Sequence, residues 1–181
     1  MLSATILVED SINVPVALEA IGISPTNNKM GIYSQKGKEL ATIKHYNKNH
    51  TVELRFSGNL RLEEYEIIHN AIITLASATS GKIDDTNSLL GYLGNAEPAY
   101  IVTNWVKWTL FLNEAKYKTL EGQKVKLLDV NNEELASGIL VDYQYEIIND
   151  TFSITECTLI TTFGERKYTG DKLKIEPTDR W

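Results

Sequence analysis

The stretch ELATIKHYNKNHTVELRFSGNLRLEEYEIIHNAIITLASAT, residues 39–79, decides the fold of the first half of the chain. Its first part predicts a β-hairpin, because two β-rich runs flank the turn-forming residues NKNH. A two-residue turn at Lys48-Asn49 places Ile43 opposite Leu54. In this register apolar residues meet on one face and opposite charges meet on the other, so the alternation supports the pairing.

The second part of this stretch, from Asn59 to Thr79, predicts an amphipathic helix. Its apolar residues recur at spacings of three and four, acidic residues stand near its N-terminal end, and Gly81 follows as a stop signal. Upstream, a β-rich run at residues 4–9 precedes a short helix near residues 14–21. We therefore expect residues 1–85 to follow the order β-α-β-β-β-α-β, with two helices against one mixed sheet.

The segment after Glu97-Pro98 has an ambiguous pattern. A helical stripe of apolar residues runs through it: Ile101, Trp105, Trp108, Leu112 and Ala115. Its β-branched residues favour a strand instead. We interpret residues 97–122 as a connecting helix, with a strand as the alternative. This helix joins an α+β sandwich-like domain at residues 1–96 to a second domain at residues 123–181.

The second predicted domain carries strand signals in series. Five short runs rich in β-branched and aromatic residues are separated by tight turns. The last two of these runs are ERKYT and KLKIEP, residues 165–169 and 172–177. Such a series is typical of a small, partly open β-barrel, here a five-stranded barrel of the SH3-like kind. The whole chain is thus expected to be an α+β protein.

The longest hairpin of this domain is predicted to turn at Asn149-Asp150, which sets Tyr145 opposite Ile154. One face of the hairpin then points to the core and the other to solvent. Beyond Ile154 the strict alternation fails. A β-bulge near Glu156-Cys157 repairs it by turning the cysteine and Phe163 inward.

The solvent face of this hairpin is acidic and is expected to have no cation nearby, since no Lys or Arg occurs between Leu127 and Glu165. An acidic surface of this kind serves solubility or recognises a basic partner through complementary charge. The candidate partner-binding residues are Asp142, Gln144, Glu146, Asp150 and Glu156.

The turn before this hairpin has two interpretations. The spacing of Asp129, Asn131 and Glu133 resembles the opening of a calcium-binding loop. Such a loop needs glycine at its sixth position and a chelating glutamate at its twelfth, where this chain has Glu134 and Leu140. A hairpin turn is therefore favoured, because asparagine tolerates the positive φ that such turns require.

Composition and motifs argue against several functions. The net charge of -6 disfavours binding to nucleic acid, and no run of about 18 apolar residues indicates a membrane span. One cysteine and no signal-like N-terminus indicate a cytoplasmic protein. No phosphate-binding loop or nucleophile motif occurs, so we expect no catalytic residue, cofactor or metal. His45, His50, His69 and Cys157 are interpreted as structural, since the sequence supplies no third metal ligand and no activating base.

Two hypotheses for function follow from these patterns. The first is a non-enzymatic cytosolic interaction protein, such as an inhibitor or immunity-type protein, that binds a basic partner through the acidic hairpin face. The second is a small-molecule-binding protein or an enzyme with its site in a cleft between the two halves. The residues proposed for that cleft are Asp84, Asp85, Tyr92, Trp105 and Trp108.

Overall fold

The computed structural model describes residues 1–9, 12–23, 30–148 and 151–178. The protein is of the α+β class, and the chain divides into two compact units, Met1–Lys107 and Trp108–Trp181. The elements that lie within the first unit are β1 (Leu2–Leu7), α1 (Val14–Ala20), β2 (Met30–Tyr33), β3 (Glu39–Tyr46), β4 (Thr51–Phe56), α2 (Leu62–Ala78), β5 (Lys82–Asp84), β6 (Leu89–Tyr92) and β7 (Pro98–Tyr100). Helix α3 (Trp105–Lys118) crosses the boundary in sequence and is followed by β8 (Lys124–Leu128), β9 (Glu134–Ile148), β10 (Thr151–Thr161) and β11 (Gly164–Pro177).

The first unit contains a five-stranded sheet in the order β2-β3-β4-β1-β5. The predicted element order β-α-β-β-β-α-β is confirmed. All pairings between described strands are antiparallel, so the prediction of a mixed sheet is wrong. Helix α2 carries the chain from β4 past β1 to β5, so β4 and β5 run in the same direction, and β1 lies between them antiparallel to both.

The hairpin of β3 and β4 has the predicted register, with Ile43 opposite Leu54. Its turn is longer than predicted: a short 3-10 turn spans Asn47–Asn49, and His50 follows with a φ of 49°. The loop is centred on the same pair of residues as the predicted two-residue turn, so the register is unchanged. Alternation of side chains therefore set the pairing, while the details of the loop did not.

One face of this sheet packs against α2, which in turn contacts α1. The buried side of α2 carries Ile68, Ile72 and Leu75, and α2 contacts both β1 and β3. Full burial of one such side chain stabilises the fold by roughly 1.5–3 kcal/mol. The uncovered face is polar, where Glu53 accepts hydrogen bonds from Tyr46 at 2.9 Å and from Arg55 at 2.8 Å.

The segment predicted as one helix or one strand contains both. Pro98–Tyr100 pairs with Leu89–Tyr92 as a two-stranded sheet, and the helix begins only at Trp105. Ile101, the first residue of the predicted helical stripe, is outside the helix but fully buried. The local pattern could not reveal this, because the partner strand of residues 98–100 is what makes them a strand.

The second unit contains an antiparallel sheet that closes on itself through β8, β9, β10 and β11. It has four strands in the described residues, which corrects the predicted five. The runs ERKYT and KLKIEP are one continuous strand, β11, which pairs first with β10 and then with β8. A bend between the two halves of β11 lets this single strand pair with both β10 and β8, as the two predicted strands would have done. The enclosed core consists of Leu120, Val125, Leu127, Leu140, Ile154, Cys157, Leu159, Leu173 and Ile175.

The hairpin of β9 and β10 confirms the predicted pairing of Tyr145 with Ile154. The predicted bulge is present but lies one residue earlier, between Ile154 and Glu156, and a second register shift follows between Thr158 and Leu159. The first shift turns Cys157 inward as predicted. The prediction for Phe163 is wrong: it lies in the turn before β11 and is 84% exposed.

The solvent face of this hairpin also differs from the prediction. Ser153 pairs with Glu146, a residue of the predicted solvent face, yet Ser153 is 6% exposed, and it lines a cavity together with residues of β11. Ile147 and Ile148, near the end of β9, are exposed instead. Among the described helices, none is long and apolar enough to span a membrane.

Candidate functional site

A groove of about 830 Å³ lies in the second unit between α3, the turn after it and β9. We call it the α3–β9 groove. It is lined by Phe111, Glu114, Ala115, Lys118, Glu121, Asp142, Tyr143, Gln144 and Tyr145. Two elements that are distant in sequence therefore supply its two walls.

The wall formed by β9 belongs to an aromatic cluster. Tyr145 stacks on Phe152 with ring centroids 4.3 Å apart, and Phe152 stacks on Tyr117 of α3 at 5.5 Å. The Tyr145 hydroxyl donates to a carboxylate oxygen of Glu114, and the Tyr143 hydroxyl donates to the Glu114 carbonyl at 3.3 Å. These bonds hold the two tyrosine rings against α3, so the groove is built before any ligand arrives.

The charge of the groove is negative. The carboxylates of Glu114, Glu121 and Asp142 face a single lysine, Lys118, among the lining residues. Burial raises the pKa of Tyr143, and the negative charges of Glu121, Glu114 and Asp142 raise this pKa further. The hydrogen bond to Glu114 raises the pKa of Tyr145. Both tyrosines thus stay neutral well above physiological pH and present uncharged rings beside carboxylates.

The predicted partner-binding residues have different places. Asp142 and Gln144 line the groove, and the Gln144 amide donates to Asp142 at 3.3 Å. Glu146 is exposed further along β9. Asp150, like the predicted turn Asn149-Asp150, lies outside the described residues.

Glu156 contradicts the expectation of an acidic face with no cation nearby. Its carboxylate forms an ion pair with Lys167 of β11 at 2.7 Å. The stretch between Leu127 and Glu165 contains no Lys or Arg, and Lys167 lies just beyond it. Pairing of β10 with β11 brings this lysine back beside the acidic residues.

Sequence reasoning missed Glu114 and Glu121, which belong to α3 and the turn that follows it. The available signal was their spacing of seven residues, roughly two helical turns, which places two carboxylates on one side of a helix. That signal is weak, because only the packing of α3 against β9 turns a pair of acidic residues into one wall of a groove.

The residues proposed for a cleft between the halves have structural roles where the structure describes their contacts. The buried Asp85 carboxylate accepts hydrogen bonds from the backbone N–H groups of Val102 and Thr103, both at 2.7 Å. Trp105 stacks on His69 with ring centroids 4.6 Å apart. Asp85 and Trp105 thereby hold the segment that leads into α3.

The other members of that set are apart from this network. Asp84 forms a local turn by accepting from the Thr86 hydroxyl at 2.7 Å, and this bond lowers the pKa of Asp84. Tyr92 is exposed on β6, and Trp108 is buried and belongs to the second unit. A site between the two halves stays a prediction.

The histidines and the cysteine are predicted to be structural. The described residues contain no group of three or more side chains that could hold a metal ion. Burial lowers the pKa of His69, so its neutral ring donates from Nδ1 to the Ile101 carbonyl at 2.6 Å. Burial and the charge of Asp142 raise the pKa of Cys157 to about 12, which leaves the thiol protonated and unreactive.

The turn at Asp129 is a hairpin turn, as favoured by the sequence. One oxygen of the Asp129 carboxylate accepts from the backbone N–H groups of Asn131 and Glu133, both at 2.8 Å. Asn132 takes the positive φ of 63°. The Asp129 carboxylate thus organises the turn between β8 and β9.

Comparison with protein-family models, with curated proteins and with solved structures gives no match to this chain. The chemistry of the α3–β9 groove is therefore the observation on which a function rests. Its carboxylates accept hydrogen bonds from ammonium or guanidinium groups, and its tyrosine rings offer faces on which such cations stack.

Proposed function

We propose that this protein is a non-enzymatic interaction module that binds a basic segment of a partner protein in the α3–β9 groove. One observation carries the proposal: three carboxylates and two tyrosine rings line a groove with a single lysine. An arginine side chain would stack on Tyr143 or Tyr145 and pair with a carboxylate through its planar guanidinium. A lysine would gain less, because its ammonium group is a compact and strongly hydrated charge.

The proposed class of protein is a cytoplasmic inhibitor or immunity-type protein that neutralises a basic enzyme. The net charge of -6 supports this, because complementary charge raises the rate of association and selects the partner. The assignment of the closed sheet to the SH3-like class belongs to the same proposal. It is supported by the antiparallel order of the four strands and by the bend in β11.

Charge reversal tests the proposal. We expect Glu121→Lys combined with Asp142→Lys to abolish capture of a basic protein that the wild type retains from lysate. Capture by the wild type should weaken steeply as salt is raised, because the proposed contacts are ionic. The captured protein is identified by mass spectrometry, and its direct binding to both forms is then measured by calorimetry.

The matched control is Glu133→Lys combined with Glu165→Lys, which changes the net charge equally at exposed positions outside the groove. This control should bind the partner as the wild type does. Melting temperatures of all three forms show whether they are folded. Equal binding by the groove variant and the control variant would overturn the proposal.

A further inference from the structure

A second cavity, of about 320 Å³, opens where β10 separates from β11. The two strands pair as far as Ile154 and Leu173, and from Lys174 onward β11 pairs with β8 instead. The first residues of β10 thereby lose β11 as a neighbour. We call the resulting space the β10–β11 cavity.

The cavity combines an apolar floor with a basic rim. Its floor includes the buried side chains of Ile154 and Leu173, and Tyr117 forms one wall. Lys172 and Lys174 are exposed lining residues, and the Lys174 ammonium donates to the side-chain oxygen of Asn132 outside the cavity. None of the described lining residues is acidic. Glu176 is the carboxylate whose charge reaches Tyr117, where it adds to the effect of burial in raising the pKa of that tyrosine.

The hydroxyl of Ser153 is a buried group without a partner in this cavity. Its Oγ atom is the buried side-chain oxygen that makes no hydrogen bond within the part of the chain that the structure describes. Ser153 is 6% exposed and lines the cavity beside the two lysines. Buried hydroxyl groups are nearly always hydrogen-bonded, so this one indicates a missing partner.

A strained backbone holds one of the two lysines at the rim. Three residues of β11, Gly170, Asp171 and Lys172, stand opposite the single residue Thr155 of β10. Lys172 has a φ of 55°, in the left-handed region that residues other than glycine rarely adopt. The lysine therefore occupies a bulge that directs the strand away from β10 at the mouth of the cavity.

We propose that the β10–β11 cavity binds a small amphipathic anion. The apolar part of the anion lies on Ile154 and Leu173. Its negative head group pairs with Lys172 and Lys174, and one oxygen of the head group accepts a hydrogen bond from the Ser153 hydroxyl. The ligand class is a medium-chain carboxylate or an anion of similar shape. The proposal is independent of the α3–β9 groove, whose lining shares no residue with this cavity.

The test is a titration of the full chain with octanoate, kept below its micellar concentration and followed by amide resonances. Octanoate should shift the resonances of Ser153, Ile154 and Leu173 in a saturable way, whereas octylammonium should not. Absence of saturable shifts at these residues, or equal shifts with octylammonium, would overturn the proposal.

Ser153→Ala separates a ligand role from a purely structural one. If the hydroxyl serves the ligand, the variant binds octanoate about fivefold more weakly, the loss expected for one hydrogen bond. Without ligand the same variant should melt at a higher temperature than the wild type, because it removes a buried group that lacks a partner. Unchanged affinity for octanoate would contradict the assignment of Ser153.

The rim is tested by Lys172→Gln combined with Lys174→Gln, exposed changes that keep the size of the side chains. We expect a loss of octanoate affinity of at least tenfold, since two charge-assisted contacts are removed. The matched control is Lys36→Gln combined with Lys48→Gln in the first unit, which should bind octanoate as the wild type does. Equal affinity in both double variants would overturn the role of the rim.

Discussion

Two hairpins of the protein, β3–β4 and β9–β10, differ in regularity. The β3–β4 hairpin keeps one register along its whole length, and Val52, Leu54 and Phe56 are all buried on one face. The β9–β10 hairpin shifts register twice, and the neighbouring residues Ser153 and Ile154 are both buried. Both cavities described above are lined by this second hairpin. The regular hairpin thus buries alternate residues on one face, whereas the hairpin with register shifts lines both cavities.

The same contrast holds for charge. In the first unit, Glu53 is paired with Arg55, and Glu64 at the start of α2 is paired with Lys38 at 2.7 Å. In the α3–β9 groove, three carboxylates share one lysine. An excess of one sign of charge is what a surface needs to attract a partner of the opposite sign.

The largest expected effect is the destabilisation of the regular first sheet by Leu54→Ala. Leu54 is fully buried, so its truncation should lower the free energy of unfolding by about 3–4 kcal/mol. Chemical denaturation measures the change. Leu7→Ala in the neighbouring β1 is the control, because Leu7 is 53% exposed and should cost little. A small effect at Leu54 would show that the first sheet does not depend on its regular packing.

A smaller effect is expected at the irregular hairpin from Gly138→Ala. A Cβ atom on Gly138 would lie 2.5 Å from the Ile160 carbonyl oxygen, so β9 and β10 would have to move apart. We expect destabilisation of about 2 kcal/mol, measured by denaturation. At the control position Gly58, the nearest contact for a new Cβ atom is 3.8 Å from Leu2, so Gly58→Ala should be close to neutral. Equal stability of the two variants would mean that the close approach of the strands is not required.

The smallest effect concerns the paired glutamate of the first unit. Hydrogen bonds from Lys38 and from the backbone of Arg61 lower the pKa of Glu64 below its ordinary value of 4.5. The ionised Glu64 carboxylate therefore stabilises the fold fully above pH 4.5, the pKa of this group in the unfolded chain. This stabilisation is lost as the pH falls through the lower pKa of Glu64 in the folded protein. Glu64→Gln should therefore lower the melting temperature at neutral pH but not at strongly acidic pH.

The control for that experiment is Glu63→Gln at the exposed neighbouring position. Its melting temperature should follow that of the wild type across the same pH range. If Glu64→Gln lowers the melting temperature equally at all pH values, the role of Glu64 is packing rather than charge.

Prediction from sequence was accurate where neighbours along the chain decide the structure. The helix α2, the pairing of Ile43 with Leu54 and the pairing of Tyr145 with Ile154 all followed from local alternation. The bulge in β10 lies one residue before its predicted position. The sequence shows that the alternation fails but does not show which residue is left unpaired. The four-stranded closure was missed, because the bend in β11 depends on which strands flank it.

The candidate sites were less predictable than the fold. Asp142 and Gln144 were identified from the acidic hairpin, but Glu114 and Glu121 were not, since they reach the groove through packing of α3. Neutralisation of Glu156 by Lys167 and burial of the Ser153 hydroxyl also depend on β11. Each of these features joins residues that belong to different elements of the fold.

The amino-acid order alone thus carries the α+β class, the order of elements in residues 1–85, two hairpin registers and the choice of a turn over a calcium loop at Asp129. These depend on side-chain periodicity and on backbone preferences within a few residues. The α3–β9 groove, the β10–β11 cavity and the ion pair of Glu156 exist only in the folded chain. Their physical reason is that charge, burial and hydrogen bonding depend on distances in space, which the packing of α3 and the course of β11 set.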